Sequence, residues 1–353
     1  MPRGCPAGFG ASSARAKTMN SASPLVDLGH SPEGWVAGLL FGLTACVAVT
    51  AAEPTALNKT THVYKTVGAV KIAADVLRPP GTEARPVLVW LHGGALIVGS
   101  RTQLPKSLVE LCTQERWILV SLDYRLAPEV KLPAIAEDLR DAFRWLHAEG
   151  PRLFHADTRR VVVAGGSAGG FLTMLAGAIV TPRPSALLAY WGYGDIDGEW
   201  ARARSSHHGM PVDREEALAA VNRGQVLTNT DDPAVAKARG NYYRHLRQTG
   251  AWAAGVTGMD SAKEPAQLKP YCPLRLITPD YPPLLMVHGT EDTDVPYACS
   301  TAMARELGRN RVKHELITVP GGEHGLRGAD PKLVADANQR VAAYLRGQLS
   351  PPR

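Results

Sequence analysis

The sequence predicts an α/β fold: a mostly parallel central sheet flanked by helices, with a helical cap insertion. Three observations predict it. Short, continuous apolar runs recur along the chain, segments with helical periodicity lie between them, and one long charged stretch interrupts the alternation. The apolar runs are Val87–Leu91, Ile118–Leu122, Val161–Ala164, Leu187–Trp191, Leu284–Val287 and Leu316–Val319. Unbroken runs, rather than alternating ones, suit strands buried on both faces of a parallel sheet.

The helical segments follow in order. Ile135, Leu139, Ala142, Phe143 and Leu146 recur at helical spacing, and Gly150-Pro151 is expected to stop that helix. Ala168 to Val180 is almost wholly apolar, as a helix packed on a sheet would be. Asp330-Pro331 opens a last helix whose inner face is Leu333, Val334, Ala337, Val341 and Leu345. Residues 192 to about 280 show no clear strand and hold Tyr193, Trp200, Tyr242, Tyr243 and Trp252. That stretch is too long for a simple connection, so it reads as a cap over one end of the sheet, whose aromatics either wall an apolar pocket or pack as the cap's own core.

Residues 53–353 are thus expected to form one catalytic domain, and residues 1–52 a signal-peptide-like leader. The leader's mark is the uncharged run Val36–Ala52, which ends in small residues before Glu53-Pro54. It implies export, periplasmic or secreted, with no stable membrane insertion once it is cleaved. Leu43-Thr44-Ala45-Cys46 offers a lipobox-like alternative. Of 353 residues, 45% are hydrophobic and 20% charged, the balance of a globular protein rather than a disordered one. The 39 Lys and Arg against 33 Asp and Glu give a net charge of +6, but the cations are scattered and no nucleic-acid-binding motif accompanies them. The five cysteines form no CxxC pair, which argues against structural zinc. Cleavage of the leader would leave Cys112, Cys272 and Cys299, an odd set whose bonding the sequence leaves open.

Chemistry concentrates in four segments. Gly165-Gly166-Ser167-Ala168-Gly169 fits G-x-S-x-G between a strand and a helix, a sharp turn that lifts a serine hydroxyl above a sheet. Side chains two residues to either side of Ser167 would clash there. His92-Gly93-Gly94-Ala95 closes another strand, and the N–H groups of Gly93 and Gly94, with that of Ala168, could receive an oxyanion. The base should follow the serine. His324, in the loop Pro320-Gly-Gly-Glu-His-Gly325, lies between the last strand and the last helix. His207 and His208 have no third ligand spaced for a metal, and His288 reads as packed at a strand end. The acid comes from Glu291, Asp292 or Asp294. Asp292, 32 residues before His324, is the choice, and Asp294 reads as a local partner of the helix near Pro296.

Together these segments resemble the α/β-hydrolase fold, and within it the hormone-sensitive-lipase-like esterases. The tract Asp123-Tyr-Arg-Leu-Ala-Pro-Glu129 resembles that branch too. The resemblance spans about residues 60 to 348. It implies Ser167, His324 and Asp292 as catalytic residues, with Gly93, Gly94 and Ala168 as oxyanion donors. It further implies a carboxylesterase acting on small-molecule esters, with no cofactor and no metal. Two departures stand out: Ala95 replaces a fourth-position glycine, and Gly-Thr-Glu-Asp-Thr-Asp-Val-Pro is nearer to acetyl- and feruloyl-type esterases and S9 peptidases. A polysaccharide esterase, an S9-like peptidase and a small-molecule receptor on the same fold are the competing expectations.

Overall fold

The computed structural model describes residues 56–350 apart from 220, 222, 223, 261 and 262, so the leader expected over residues 1–52 lies outside them. Its eight-stranded sheet runs β1 (Asn58–Val67), β2 (Val70–Arg78), β3 (Arg85–Leu91), β4 (Ile118–Leu122), β5 (Ala156–Gly166), β6 (Ala186–Tyr190), β7 (Leu284–Gly289) and β8 (His314–Val319). The spatial order is β1-β2-β4-β3-β5-β6-β7-β8. All pairs from β4-β3 onward are parallel, whereas β1-β2 and β2-β4 are antiparallel.

The helices outside the insertion are α1 (Lys106–Glu115), α2 (Leu132–Phe154) and α3 (Ala168–Ile179), with α9 (Ala298–Arg309) and α10 (Pro331–Leu349) later in the chain. The insertion supplies α4 (Glu199–Arg202), α5 (Arg214–Ala219), α6 (Pro233–Thr249), α7 (Trp252–Thr257) and α8 (Pro265–Leu268). Side chains alternate across the sheet and both sides are filled. Leu88, Trp90, Leu119, Val162, Leu188 and Val287 pack with α1 and α10, whose contributions include Leu108, Val341 and Leu345. Val87, Val89, Val120, Val163, Leu187 and Met286 pack with α2, α3 and α9. Burial on both faces is why the strands read as continuous apolar runs.

Helix α2 corrects one expectation. It does not stop at Gly150-Pro151 but continues to Phe154, with Pro151 inside it. Leu146, Gly150 and Phe154 extend the buried stripe at i, i+4 and i+8, and that packing outweighs the hydrogen bond the proline cannot donate. The N-terminal hairpin β1-β2 is an element the apolar runs did not announce. Most of β1 is exposed, so it carries no apolar signature.

The insertion docks on the loops after β3 and β4. Thr230 N–H donates to Gly99 O at 2.9 Å, and Gly99 N–H returns a bond to Thr230 Oγ1 at 3.0 Å. Leu126 N–H reaches Leu227 O at 2.8 Å, and Trp252 Nε1 donates to Ala95 O at 3.1 Å. At the centre is Arg239 of α6, only 1% exposed, which pairs with Glu129 and donates to the carbonyls of Ala127 (2.7 Å) and Ile97 (3.2 Å). Removing one partner of a buried ion pair leaves an uncompensated charge, whereas removing both does not. Arg239→Ala is therefore expected to lower stability by about 3–5 kcal/mol. Arg239→Met combined with Glu129→Leu should cost less than the single change, as read from urea unfolding midpoints.

Candidate active site

The β5–α3 turn places Ser167 in a backbone conformation that few side chains adopt, φ 57° and ψ −120°. The glycines two residues to either side are there because the end of β3 runs against this turn. A Cβ on Gly165 would lie 2.3 Å from Gly169 O, and one on Gly169 only 2.0 Å from Leu91 O. Gly166 has no such constraint, since its nearest neighbour would be the Trp191 ring at 3.4 Å. The same approach puts Gly93 beside the serine: its hypothetical Cβ is 3.4 Å from Ser167 Cβ.

Loops after β7 and β8 carry the next two groups. Glu291 N–H donates to Gly322 O at 2.9 Å, and Thr290 N–H to Val319 O at 3.1 Å, which locks the loops together. Ser167 Oγ donates to His324 Nε2 at 3.0 Å, and His324 Nδ1 donates to Asp292 Oδ2 at 2.8 Å. The carboxylate can only accept, so it fixes the tautomer that leaves Nε2 free to take the serine proton. Of the three acids considered for this loop, Asp292 is the one the structure brings to His324 Nδ1.

The electrostatics follow from the same contacts. Burial would raise the Asp292 carboxyl, but hydrogen bonds from His288 and His324 hold it well below the usual carboxylate range. Burial pulls the His324 imidazole down, yet the Asp292 hydrogen bond and the charges of Asp294 and Asp292 carry it above 6.5 overall. His92, fully buried, is pushed down to about 4 by desolvation, partly offset by its bond to Gly93 O at 2.8 Å. Its ring stacks on Tyr124 at 4.2 Å, and the Tyr124 hydroxyl donates to His92 O at 2.9 Å.

Ala168 opens α3, so its N–H has no intrahelical acceptor. Among the described residues, the N–H groups of Gly93 and Gly94 make no hydrogen bond to the protein either. The β3 loop is itself held by the Asp123–Glu129 tract. Asp123 accepts from Arg101 N–H at 2.8 Å, and Ala127 N–H donates to Leu96 O at 2.8 Å. Ala95 and Leu96 follow with φ of 58° and 65°, so the alanine accommodates the left-handed backbone.

Three residues set aside in the sequence contribute here. His288 is not merely packed: its Nε2 lies 3.2 Å from Asp292 Oδ2 and 3.0 Å from Val295 O, both acceptors. Asp294 is not a helix partner. Helix α9 begins at Ala298 after Tyr297, without a side-chain cap, and Asp294 Oδ1 instead accepts from Tyr243 Oη and from His208 Nε2, the latter at 3.0 Å. No sequence spacing could reveal these bonds, because the partners lie 51 and 86 residues away.

A pocket opens beside Ser167, and the insertion's aromatics do not line it. A cavity of about 400 Å³ opens there, walled by Trp90, Tyr190, Trp191, Leu326 and Val334, with Gln103 and Asn338 among its polar lining. The insertion's aromatics are consumed elsewhere. Tyr193 stacks on Phe171 at 4.9 Å and meets Trp200 and Trp252 edge-on, while Arg247 lies over both tryptophans. They pack in the apolar core that the insertion shares with α3 and the sheet, and none of them lines this cavity. Among the described residues, no group of three His, Cys, Asp or Glu side chains could hold a metal ion. Cys112, Cys272 and Cys299 are buried free thiols, and burial pushes the Cys272 thiol up to about 12.

Comparison with known proteins agrees with this architecture. Residues 88–327 match a family model described as the alpha/beta hydrolase fold. A non-reducing polyketide synthase of Stereocaulon alpinum is 27% identical over 294 residues, covering 74% of this chain but only 12% of the synthase. A probable carboxylesterase of a Phoma species is 28% identical over 300 residues, covering 74% of this chain and 87% of the relative. The crystal structure of an alpha/beta hydrolase superfamily protein from Enterococcus faecalis superposes with a TM-score of 0.64. Its identity is 22%, and the match covers 82% of this chain and 99% of that one.

Neighbouring glycines in the turn should respond very differently to an added methyl. Gly169→Ala drives a Cβ into backbone carbonyls and is expected to cost about 3 kcal/mol or more. Gly166→Ala meets only the edge of a ring and should stay within about 1 kcal/mol of the parent. Thermal and urea unfolding of the two variants check this, and equal losses would contradict the close approach.

Proposed function

The chain belongs to the α/β-hydrolase fold family, and we propose that it is a serine ester hydrolase working by two-step acyl transfer. The observation that carries the reading is the hydrogen-bonded chain from Ser167 through His324 to Asp292, beside the unpaired N–H groups of Gly93, Gly94 and Ala168. In this mechanism His324 Nε2 takes the Ser167 proton as Oγ bonds to the ester carbonyl carbon. The tetrahedral oxyanion sits against the three N–H groups. His324 then gives its proton to the departing alkoxide, and water repeats the sequence on the acyl-enzyme. Asp292 stays ionised throughout and holds the imidazole in its working tautomer.

The cavity supports short- to medium-chain esters. Its volume of about 400 Å³ is small among ligand sites, and its walls are mainly aromatic and aliphatic. The probable carboxylesterase of Phoma, 87% of which this chain covers, supports an ester as the substrate class. A receptor that only binds would have no use for a histidine aligned between serine and carboxylate.

Hydrolysis of p-nitrophenyl esters from acetate to long acyl chains tests the proposal. Turnover should peak at short chains and fall by about four orders of magnitude or more in Ser167→Ala. Failure of the folded parent to hydrolyse any ester, or full activity in the variant, would overturn it. Protonated His324 cannot accept the serine proton, so kcat/KM should fall as pH drops, with an apparent pKa above the ordinary imidazole value of 6.5. A pH–rate profile with its acid limb centred below that value would contradict the electrostatics described above.

A further inference from the structure

His324 faces two carboxylates, not one. Asp292 binds Nδ1, but Asp294 Oδ2 stands 3.8 Å from Nε2, the nitrogen that meets Ser167. Asp294 does not hold this position by its own loop alone. The insertion grips its other carboxylate oxygen through His208 Nε2 and the Tyr243 hydroxyl, and its main-chain carbonyl accepts from Arg247 Nη2 at 2.9 Å. His208 is itself fixed, since its Nδ1 lies 2.7 Å from Ser205 Oγ. On the loop side, Asp294 N–H donates to Asp292 Oδ1 at 3.0 Å. With Oδ1 taken up by the insertion, Oδ2 is left facing the histidine.

We propose that Asp294 is a positioning residue: a second carboxylate, oriented by the insertion, that stabilises the His324 imidazolium from its Nε2 side during acyl transfer. Its consequence for turnover rests on the ester-hydrolase reading above. When the Ser167 proton moves to Nε2 and Oγ bonds to the acyl carbon, the ring acquires a positive charge. Asp292 balances it at Nδ1 and Asp294 balances it at the opposite nitrogen. The gap of 3.8 Å is beyond hydrogen-bond range, so Nε2–H can pass its proton to the leaving alkoxide while Asp294 stabilises the ring by charge alone.

The remaining charges around the pair fit this assignment. Arg327 donates to His324 O and opposes its protonation, whereas Glu323 accepts the His324 main-chain N–H. Arg247 Nε lies 3.7 Å from Asp294 Oδ1, and the buried Tyr193 ring packs beside that arginine's tryptophan partners. Burial alone would raise the Asp294 carboxyl, but the hydrogen bonds from His208 and Tyr243 and the nearby His324 hold it lower, so it is ionised at neutral pH.

Two variants with opposite expected signs test the assignment. Asp294→Asn removes the charge, so the His324 pKa and the acid limb of kcat/KM should both move down by about one unit. On the plateau kcat should fall about three- to tenfold while KM stays within about twofold. Tyr243→Phe keeps the charge but removes a donor that disperses it, so the His324 pKa should rise by a few tenths of a unit. The histidine is followed by NMR titration of its ring protons in the parent and, without any turnover, in the Ser167→Ala background. An anchor that served only to seat the insertion would lower stability in both variants and leave the His324 titration in place, and that result overturns the proposal. Should Asp294→Asn not fold, Tyr243→Phe decides alone: an unchanged or lowered His324 pKa refutes the assignment. A chain inert towards every ester whose His324 still answers to Asp294→Asn would refute the hydrolase reading and keep the second carboxylate.

Discussion

The close approach between the end of β3 and the β5–α3 turn is the constraint on which the site depends. Leu91 O occupies the space where a side chain on Gly169 would stand, so two backbones touch with nothing between them. Contact at that range does three things at once. It tightens the turn until Ser167 takes its strained φ, it aims the first turn of α3 at the serine, and it brings Gly93 alongside. A gap of one methyl group would separate the serine from the Gly93 and Gly94 N–H groups proposed to receive the oxyanion. Such a contact needs support from outside, and the Asp123–Glu129 tract supplies it. Its Asp123, Tyr124 and Ala127 hold Arg101, His92 and Leu96 in turn, clamping the β3 loop along its length.

The second half of the site obeys the same logic at the ends of β7 and β8. Gly289 and Gly322 meet backbone to backbone, and a Cβ on Gly289 would fall 2.0 Å from Gly322 O. Asp292 and His324 are 32 positions apart in the chain, yet this contact sets their loops side by side. His288, on the last part of β7, then makes the arrangement rigid. Its Nδ1 meets Ser300 Oγ at 2.7 Å, and its Nε2 meets Asp292 Oδ2, tying the carboxylate to both the strand and α9. Parallel strands ending at one edge of a sheet make this economical, because each loop needs only to reach its neighbour.

What the sequence made legible follows from how local its signals are. The parallel strands were readable because burial on both faces imposes continuous apolar runs, and β1 was not, because its polar, exposed residues carry no such run. Ser167, Asp292 and His324 could be read as candidates because each sits in a short glycine-bearing segment at a strand end, and the structure brings the three side chains together. Pro151 misled because propensity weighs one lost hydrogen bond, while the structure weighs the apolar stripe from Leu146 through Phe154. His208, Tyr243 and Asp294 were illegible for a different reason. Their meaning lies in contacts between the insertion and the acid loop, which no local pattern encodes.

The aromatic residues of the insertion show that composition alone does not separate a pocket wall from a core. Five aromatics in a cap suit a pocket lining or a core equally, and short helices must bury their apolar surface against the domain they sit on. Tyr193, Trp200 and Trp252 meet that need around Arg247, whose guanidinium also reaches over to Asp294 O. The insertion's contribution to the site is therefore charge and orientation, delivered through His208, Tyr243 and Arg247. The cavity proposed to take substrate is lined instead by Trp90 and Trp191 at the strand ends with Leu326 and Val334, and by no described residue of the insertion. Substitutions in the insertion would accordingly act on the histidine, and those at the β3, β6 and α10 walls on the size of the group accepted. In the proposed reaction this division of labour would separate proton transfer from substrate selection.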